Sequence, residues 1–460
     1  MSSDFFPNSW KLCPLEDVMD AIIDYRGKTP KKTESGVPLV TAKIVKDGYV
    51  QTPTEFIAED SYETWMVRGL PEVGDVVLTT EAPLGEAAQL TDSNVALAQR
   101  IVTLRGKKGV LSNDYLLCAM QSNYVQHQLE ARATGSTVKG IKQSELRKVI
   151  LPVPPFEEQQ RISNILKSIS DKILLNSKTN QTLEQIAQAI FKSWFVDFDP
   201  VKAKMETLAA GGSADDAELA AMRVISAKTL DQLNSLKASN PEAFNKLAQT
   251  AALFPSAMQD SELGEIPKGW EVGKLANIID FNPRRTLKKG TLAPYLDMKN
   301  VPTTGHLAIE VVDREMASGT KFVNGDTLLA RITPCLENGK TAYVDFLKDN
   351  QVGWGSTEYI VMRPKEGYPT SIGYLLARDT NFRQQAIQSM TGTSGRQRAD
   401  AKALAETAWL IYPKELVRAF DKTAKGYLSL AKINGDESKS LSEIRDALLP
   451  KLLSGELVGE

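Results

Sequence analysis

Two loops carry the side chains best suited to gripping a polyanion. Arg26, Lys28, Lys31 and Lys32 follow one another with no acid between Arg26 and Lys32, and Arg284, Arg285, Lys288 and Lys289 do the same downstream. Arg284 lies 258 positions after Arg26. A second pair of loops is built on glycine and hydroxyl residues. Gly135, Ser136, Thr137, Val138, Lys139 and Gly140 lead into Lys142, Arg147 and Lys148, opposed by Glu145 alone; the counterpart places Thr393, Ser394, Arg396 and Arg398 after Gly392. Small residues let a backbone come close, their N–H groups can face phosphate oxygens, and arginine can also bridge the edge of a guanine. Ordinary solvated loop charge is the competing reading for any one cluster. Recurrence at matching positions favours a shared role in holding DNA.

Catalytic patterns fall short. The glycines of Gly135 to Gly140 have the spacing of a phosphate-binding P-loop, but Ile141 and Lys142 stand where Lys and then Ser or Thr are needed. Asn282-Pro283-Arg284 and Val153-Pro154-Pro155-Phe156 are near misses to the Asn-Pro-Pro-aromatic motif of adenine methyltransferases. The three cysteines, Cys13, Cys118 and Cys335, form no CxxC pair, and with two histidines, His127 and His306, no zinc or histidine-rich metal cluster is expected. Cys118 sits in an apolar helical run and reads as core rather than nucleophile; Cys335 sits in a loop, where that reading holds less strongly.

The elements that position these loops come in two copies. Pro7 to Trp10 matches Pro267 to Trp270, Gly74-Asp75 matches Gly325-Asp326, and Thr134-Gly135-Ser136 matches Thr391-Gly392-Thr393, at offsets of 260, 251 and 257. A period this long describes whole domains rather than a solenoid. Within each half, strand-like runs (Val73 to Leu78 and Ile101 to Leu104; Thr327 to Leu329 and Tyr359 to Met362) alternate with helical stretches (Asp114 to Arg132; Ser371 to Ser389). Each half is expected to be a mixed α and β domain.

After each domain the period becomes seven. Ile162, Ile169, Asn176, Leu183 and Ile190 share one heptad position, and Leu166, Ile173, Asn180, Ala187 and Trp194 share the position four later. The second copy gives Phe420, Tyr427, Asn434, Leu441 and Leu448, so even the polar break at Asn176 recurs at Asn434. Five heptads indicate a coiled-coil seam, in which a buried asparagine costs stability and fixes register. Such a helix spans roughly 57 Å at about 1.5 Å per residue. The alternative is two amphipathic helices packed on their own domains with both asparagines solvated, and the poorer second series (Ala424, Ala431, Ser438, Arg445) keeps it open. The expected fold is α+β: two similar mixed domains (1–155 and 267–413) separated by two long antiparallel helices (156–198 and 414–460) in a pseudo-two-fold arrangement. A helical linker, 199–266, joins the halves; from Pro200 to Ile266 its acids outnumber its bases by three.

Bulk properties suit a soluble globular chain. Hydrophobic residues make up 42% and charged residues 24%. There is no apolar run long enough for a membrane span, and MSSDFFPNSW lacks signal-peptide character, so a cytoplasmic location is expected. The net charge of −2 is not that of a uniformly basic DNA binder, which puts the weight on where the charges lie.

Taken together, GSTVKGIKQSELRKVILPVPPFEEQQRI (135–162), AIFKSWFVDFDPVKAKM (189–205), SELGEIPKGWEV (261–272) and ARITPCLENGK (330–340) resemble the specificity subunits of type I restriction-modification enzymes, and with the duplication the likeness covers essentially the whole chain. The second half departs from the family pattern at Arg396 to Asp400. The resemblance implies a non-catalytic subunit whose two target recognition domains each read one part of a bipartite, asymmetric site on double-stranded DNA. It implies that the long helices separate those domains and dock two DNA adenine methyltransferase subunits, which restriction and translocase subunits can join. S-adenosylmethionine, ATP and magnesium would belong to those partners and not to this chain. A stand-alone DNA-modifying enzyme, and a coiled-coil scaffold that never touches DNA, are the alternatives; each accounts for only part of the pattern.

Overall fold

A computed structural model of the chain describes residues 6–457 apart from Arg26, Lys28, Asp47, Thr137 and Ser394. It divides into two compact units, residues 1–175 with 437–460 and residues 176–436, so the division falls inside each long helix rather than at its ends.

In the first unit, strands Met19–Asp24, Ile101–Gly106, Val76–Thr80, Leu84–Gln89, Gly48–Val50 and Val45–Lys46 lie side by side in one sheet. Val76–Thr80 is buried along its whole length, which explains its continuous apolar and β-branched sequence. A smaller sheet holds Ala96–Leu97, Val37–Val40, Phe56–Ile57 and Lys32–Thr33, and Lys11–Pro14 pairs with Ile150–Val153.

The second unit repeats this frame in register. Ile101 opposes Thr79 and Leu104 opposes Val76; in the second unit Tyr359 opposes Ala330 and Met362 opposes Thr327. A parallel pair also recurs, Ala96 with Leu39 and Trp354 with Tyr295. Trp10 and Trp270 are both buried, each after the same turn, with Trp10 N donating to Pro7 O at 2.9 Å and Trp270 N to Pro267 O at 3.0 Å.

The Gly-Asp pairs found in the sequence start matching strands. Asp75 and Asp326 are fully buried; they accept from Glu72 N at 2.8 Å and Val323 N at 2.9 Å. Each carboxylate is also paired with arginine: Asp75 with Arg105 at 2.8 Å, and Asp326 with Arg285 at 3.1 Å and Arg363 at 3.2 Å.

The helical stretch expected in each half is two helices rather than one. Asn113–Gln121 breaks from Asn123–Arg132 at Ser122, and Thr370–Arg378 breaks from Thr380–Gln388 at Asp379. The physical reason is N-capping. The Ser122 hydroxyl accepts from Val125 N at 3.2 Å and the Asp379 carboxylate from Phe382 N at 2.9 Å, which starts a new helix in a new direction. Cys118, on the first of these helices, is 5% exposed, and burial pushes its thiol up to about 12. A maleimide applied to the native chain near neutral pH should therefore label Cys13 and Cys335 and spare Cys118; rapid modification of Cys118 by mass spectrometry would contradict this packing.

The long helices run Phe156–Phe195 and Lys414–Leu453. The second ends seven residues before the expected 460, and residues 454–457 are turn. No residue of either predicted seam is exposed. In the second unit the two helices run antiparallel around a polar knot. Asn176 is 2% exposed and donates from Nδ2 to Asn434 O at 3.3 Å; Asn180 Nδ2 donates to Ala431 O at 2.9 Å, and Asn434 Nδ2 to Asn180 Oδ1 at 2.9 Å. Ala424 and Ala431, which made the second series look poor, are the small residues that let the backbones approach this closely. Phe191, Trp194 and Phe195 pack with Phe420, Tyr412 and Trp270 further along. In the first unit, Ile162 and Leu166 share a core with Leu452 and Leu453, and Lys172 pairs with Glu437 at 3.1 Å.

The linker forms four helices, Asp199–Ala209, Ala214–Ser226, Leu230–Ser239 and Pro241–Ala251, followed by a hairpin of Met258–Ser261 and Gly264–Pro267 that the sequence reading did not foresee. Asn240 caps the last of them through Ala243 N at 3.0 Å, with Pro241 in the first turn.

Candidate nucleic-acid interface

The glycine-hydroxyl loops are hairpins in the same place on the two frames. In the first unit Thr134 and Gly140 exchange backbone hydrogen bonds of 2.8 and 2.9 Å, and Ile141 N donates to Thr80 O at 3.0 Å, tying the hairpin to the end of strand Val76–Thr80. In the second unit Thr391 and Arg398 exchange bonds of 3.0 and 2.9 Å, and Ala399 N donates to Arg331 O at 2.7 Å, just past strand Thr327–Ala330. Gly135 has a positive φ of 113°, and a Cβ there would overlap Val138 O, so this turn requires glycine. The hairpin explains the failed P-loop resemblance: it follows a helix and closes on itself, whereas a phosphate-binding P-loop joins a strand to a helix.

Ser136, Lys139 and Lys142 are exposed on or beside the first hairpin. Lys31 is exposed as well, but Lys32 lies on the edge strand of the smaller sheet, ion-paired to Glu55 at 2.8 Å. In the second unit Arg284, Lys288, Lys289, Thr393 and Arg396 are exposed or partly so, whereas Arg285 is turned inward on Asp326 and Arg398 is paired with Glu358 at 2.7 Å. Arg285 and Arg398 therefore hold the frame as well as carrying charge. Arg26, Lys28, Thr137 and Ser394 lie outside the described residues.

The structure adds cations that identity matching between the halves passes over. Arg285, Lys321 and Arg331 line one cleft of about 320 Å³ with Asn282, Thr320 and Tyr359. Arg100, exposed with a positive φ of 72°, stands beside the first hairpin, its carbonyl accepting from Thr80 N at 2.9 Å. Arg331 and Arg100 have no like residue at the matching position, and only the pairing register reveals where they belong.

Twin frames, each presenting a hairpin with exposed cations, suit a duplicated nucleic-acid-binding protein. Residues 7–185 match the family model for the type I restriction modification DNA specificity domain. The chain is 30% identical over 393 residues to the specificity subunit of the type I restriction enzyme HindI from Haemophilus influenzae, covering 79% of this chain and 82% of that one. It is also 30% identical over 201 residues to the MjaIX specificity subunit of Methanocaldococcus jannaschii, covering 43% and 46%. A solved S subunit from M. genitalium aligns over 96% of each chain with 16% identity and a TM-score of 0.48. The chain belongs to the specificity subunits of type I restriction enzymes: it is the non-catalytic member that gives a restriction-modification system its DNA sequence specificity.

Proposed function

We propose that each unit reads one half of a bipartite, asymmetric site on double-stranded DNA, and that the long helices set the unread gap between the halves. The observation that carries this reading is the recurrence of one hairpin, pinned by the same backbone bonds to the same strand end, with exposed cations in both copies. The first half-site is met by Arg26, Lys28, Lys31, Lys32, Ser136, Thr137, Lys139 and Lys142. The second is met by Arg284, Arg285, Lys288, Lys289, Thr393, Ser394, Arg396 and Arg398. The helices dock two DNA adenine methyltransferase subunits, and restriction and translocase subunits join that assembly. S-adenosylmethionine, ATP and magnesium are held by those partners, and the complex works in the cytoplasm; among the described residues no helix is long and apolar enough to cross a membrane.

Phosphate contacts release counterions, and each contributes about 0.9 to the slope of log affinity against log salt. Changing Arg284, Lys288 and Lys289 together to glutamine should weaken binding of the full complex to DNA and flatten that slope by up to about 3. Unchanged affinity and slope in a salt-titrated binding assay would remove these residues from the interface. Failure of the wild-type chain to bind DNA beside its methyltransferase partners would instead favour a scaffold.

A further inference from the structure

The two frames coincide in backbone at one position and differ there in side chain. Thr80 and Arg331 make the same two backbone bonds: each N–H donates to the facing strand's carbonyl (Arg100 O and Glu358 O, both 2.9 Å), and each carbonyl accepts from the residue that follows the hairpin (Ile141 N at 3.0 Å and Ala399 N at 2.7 Å). The hairpin residues around them are alike, Thr134 with Thr391 and Gly135 with Gly392. Thr80, however, is 1% exposed, whereas Arg331 puts a guanidinium into the cleft.

Among the described residues that guanidinium has no ion-pair partner. The carboxylates of the region are taken, Asp326 by Arg285 and Arg363 and Glu358 by Arg398. The Arg331 Nε has no hydrogen-bond partner among the described residues, and no carboxylate lines the cleft. A partly buried cation left in this state is held ready for an external acceptor.

Two acceptors on DNA suit it, a phosphate and a guanine edge. A phosphate is the same in every sequence, so the residues that hold it should recur in both copies, as the hairpin glycines and threonines do. A residue that differs on a matching frame is suited to telling one half-site from the other, and the arginine fork fits guanine O6 and N7. We infer that Arg331 is a specificity-determining residue that reads a guanine in the second half-site. The inference rests on the half-site reading proposed above.

The full-length chain, assembled with its methyltransferase subunits, should be given a pool of duplexes with both half-sites randomised, and the methylated adenines sequenced. For R331A, the preference for guanine at one position of one half-site should fall about tenfold or more, with the other half-site unchanged. R331K should not restore it, because an ammonium has no fork. Equal weakening on all sequences with the salt slope reduced by about 1 would make Arg331 a phosphate contact and overturn the inference; so would an unaltered profile. If R331A disturbs both half-sites, R331K decides, and full guanine preference in that variant overturns the inference. A wild-type complex with no preference in either half-site would instead sink the half-site reading itself.

Discussion

Replacing Asp326 with alanine should cost the second unit about 3–5 kcal/mol, the range for breaking a buried ion pair from one side. The carboxylate is fully buried, and it compensates Arg285 and Arg363 while capping Val323 N. Its loss strands two inward-facing guanidinium groups and an amide. Asp326→Asn should cost less, because the amide oxygen still accepts from Val323 N while the charge is lost. A chain of two units does not unfold in one step, so global melting is the wrong readout. Hydrogen exchange should quicken in Thr327–Ala330 and Tyr359–Pro364 and stay unchanged in Val76–Thr80. Asp75→Ala should give the mirror result, since Asp75 holds Arg105 and Glu72 N in the first unit. Unaltered exchange in the affected strands would show that the pair contributes little.

The second large effect concerns the helices. Seven residues inserted after Leu175 and seven after Asp436 would add one heptad to each, about 10 Å at 1.5 Å per residue. A whole heptad keeps the seam in phase, so the knot of Asn176, Asn180 and Asn434 should survive. If the helices set the gap between half-sites, binding to the native site should fall by on the order of 100-fold or more, because only one half can then be engaged. Across duplexes of graded spacing, the preferred gap should move to longer values. Insertion into one helix alone should leave the asparagine knot paired but shift Lys172 out of register with Glu437, and Ile162 and Leu166 out of register with Leu452 and Leu453. A doubly extended protein that still prefers the native gap would end the idea that the helices act as a ruler.

Much of this was legible in residue order. Heptads need no knowledge of the partner, because a period of seven can be buried only along one stripe, and both long helices followed from it. The duplication was legible for the same kind of reason. Tight turns tolerate few residue types, so Gly74-Asp75 and Gly325-Asp326 survive as matching signs. The strands Ile101–Gly106 and Tyr359–Pro364 were visible as short apolar runs between turn residues. The breaks at Ser122 and Asp379 were missed because an apolar period continues across them, and only the capping geometry shows that the backbone turns.

Charge was the part that sequence could not apportion. By itself the sequence determined which residues are basic, that they cluster twice, and that the chain is built from a repeated domain followed by a long heptad helix. Tertiary structure alone decided how those charges are used. Arg285 and Arg398 are ion-paired with Asp326 and Glu358 as well as carrying charge, while the Nε of Arg331, a residue absent from every basic run, has no hydrogen-bond partner among the described residues. Each of these two ion pairs joins residues 40 or more positions apart, so it depends on strand register, and register is fixed only when the sheets close.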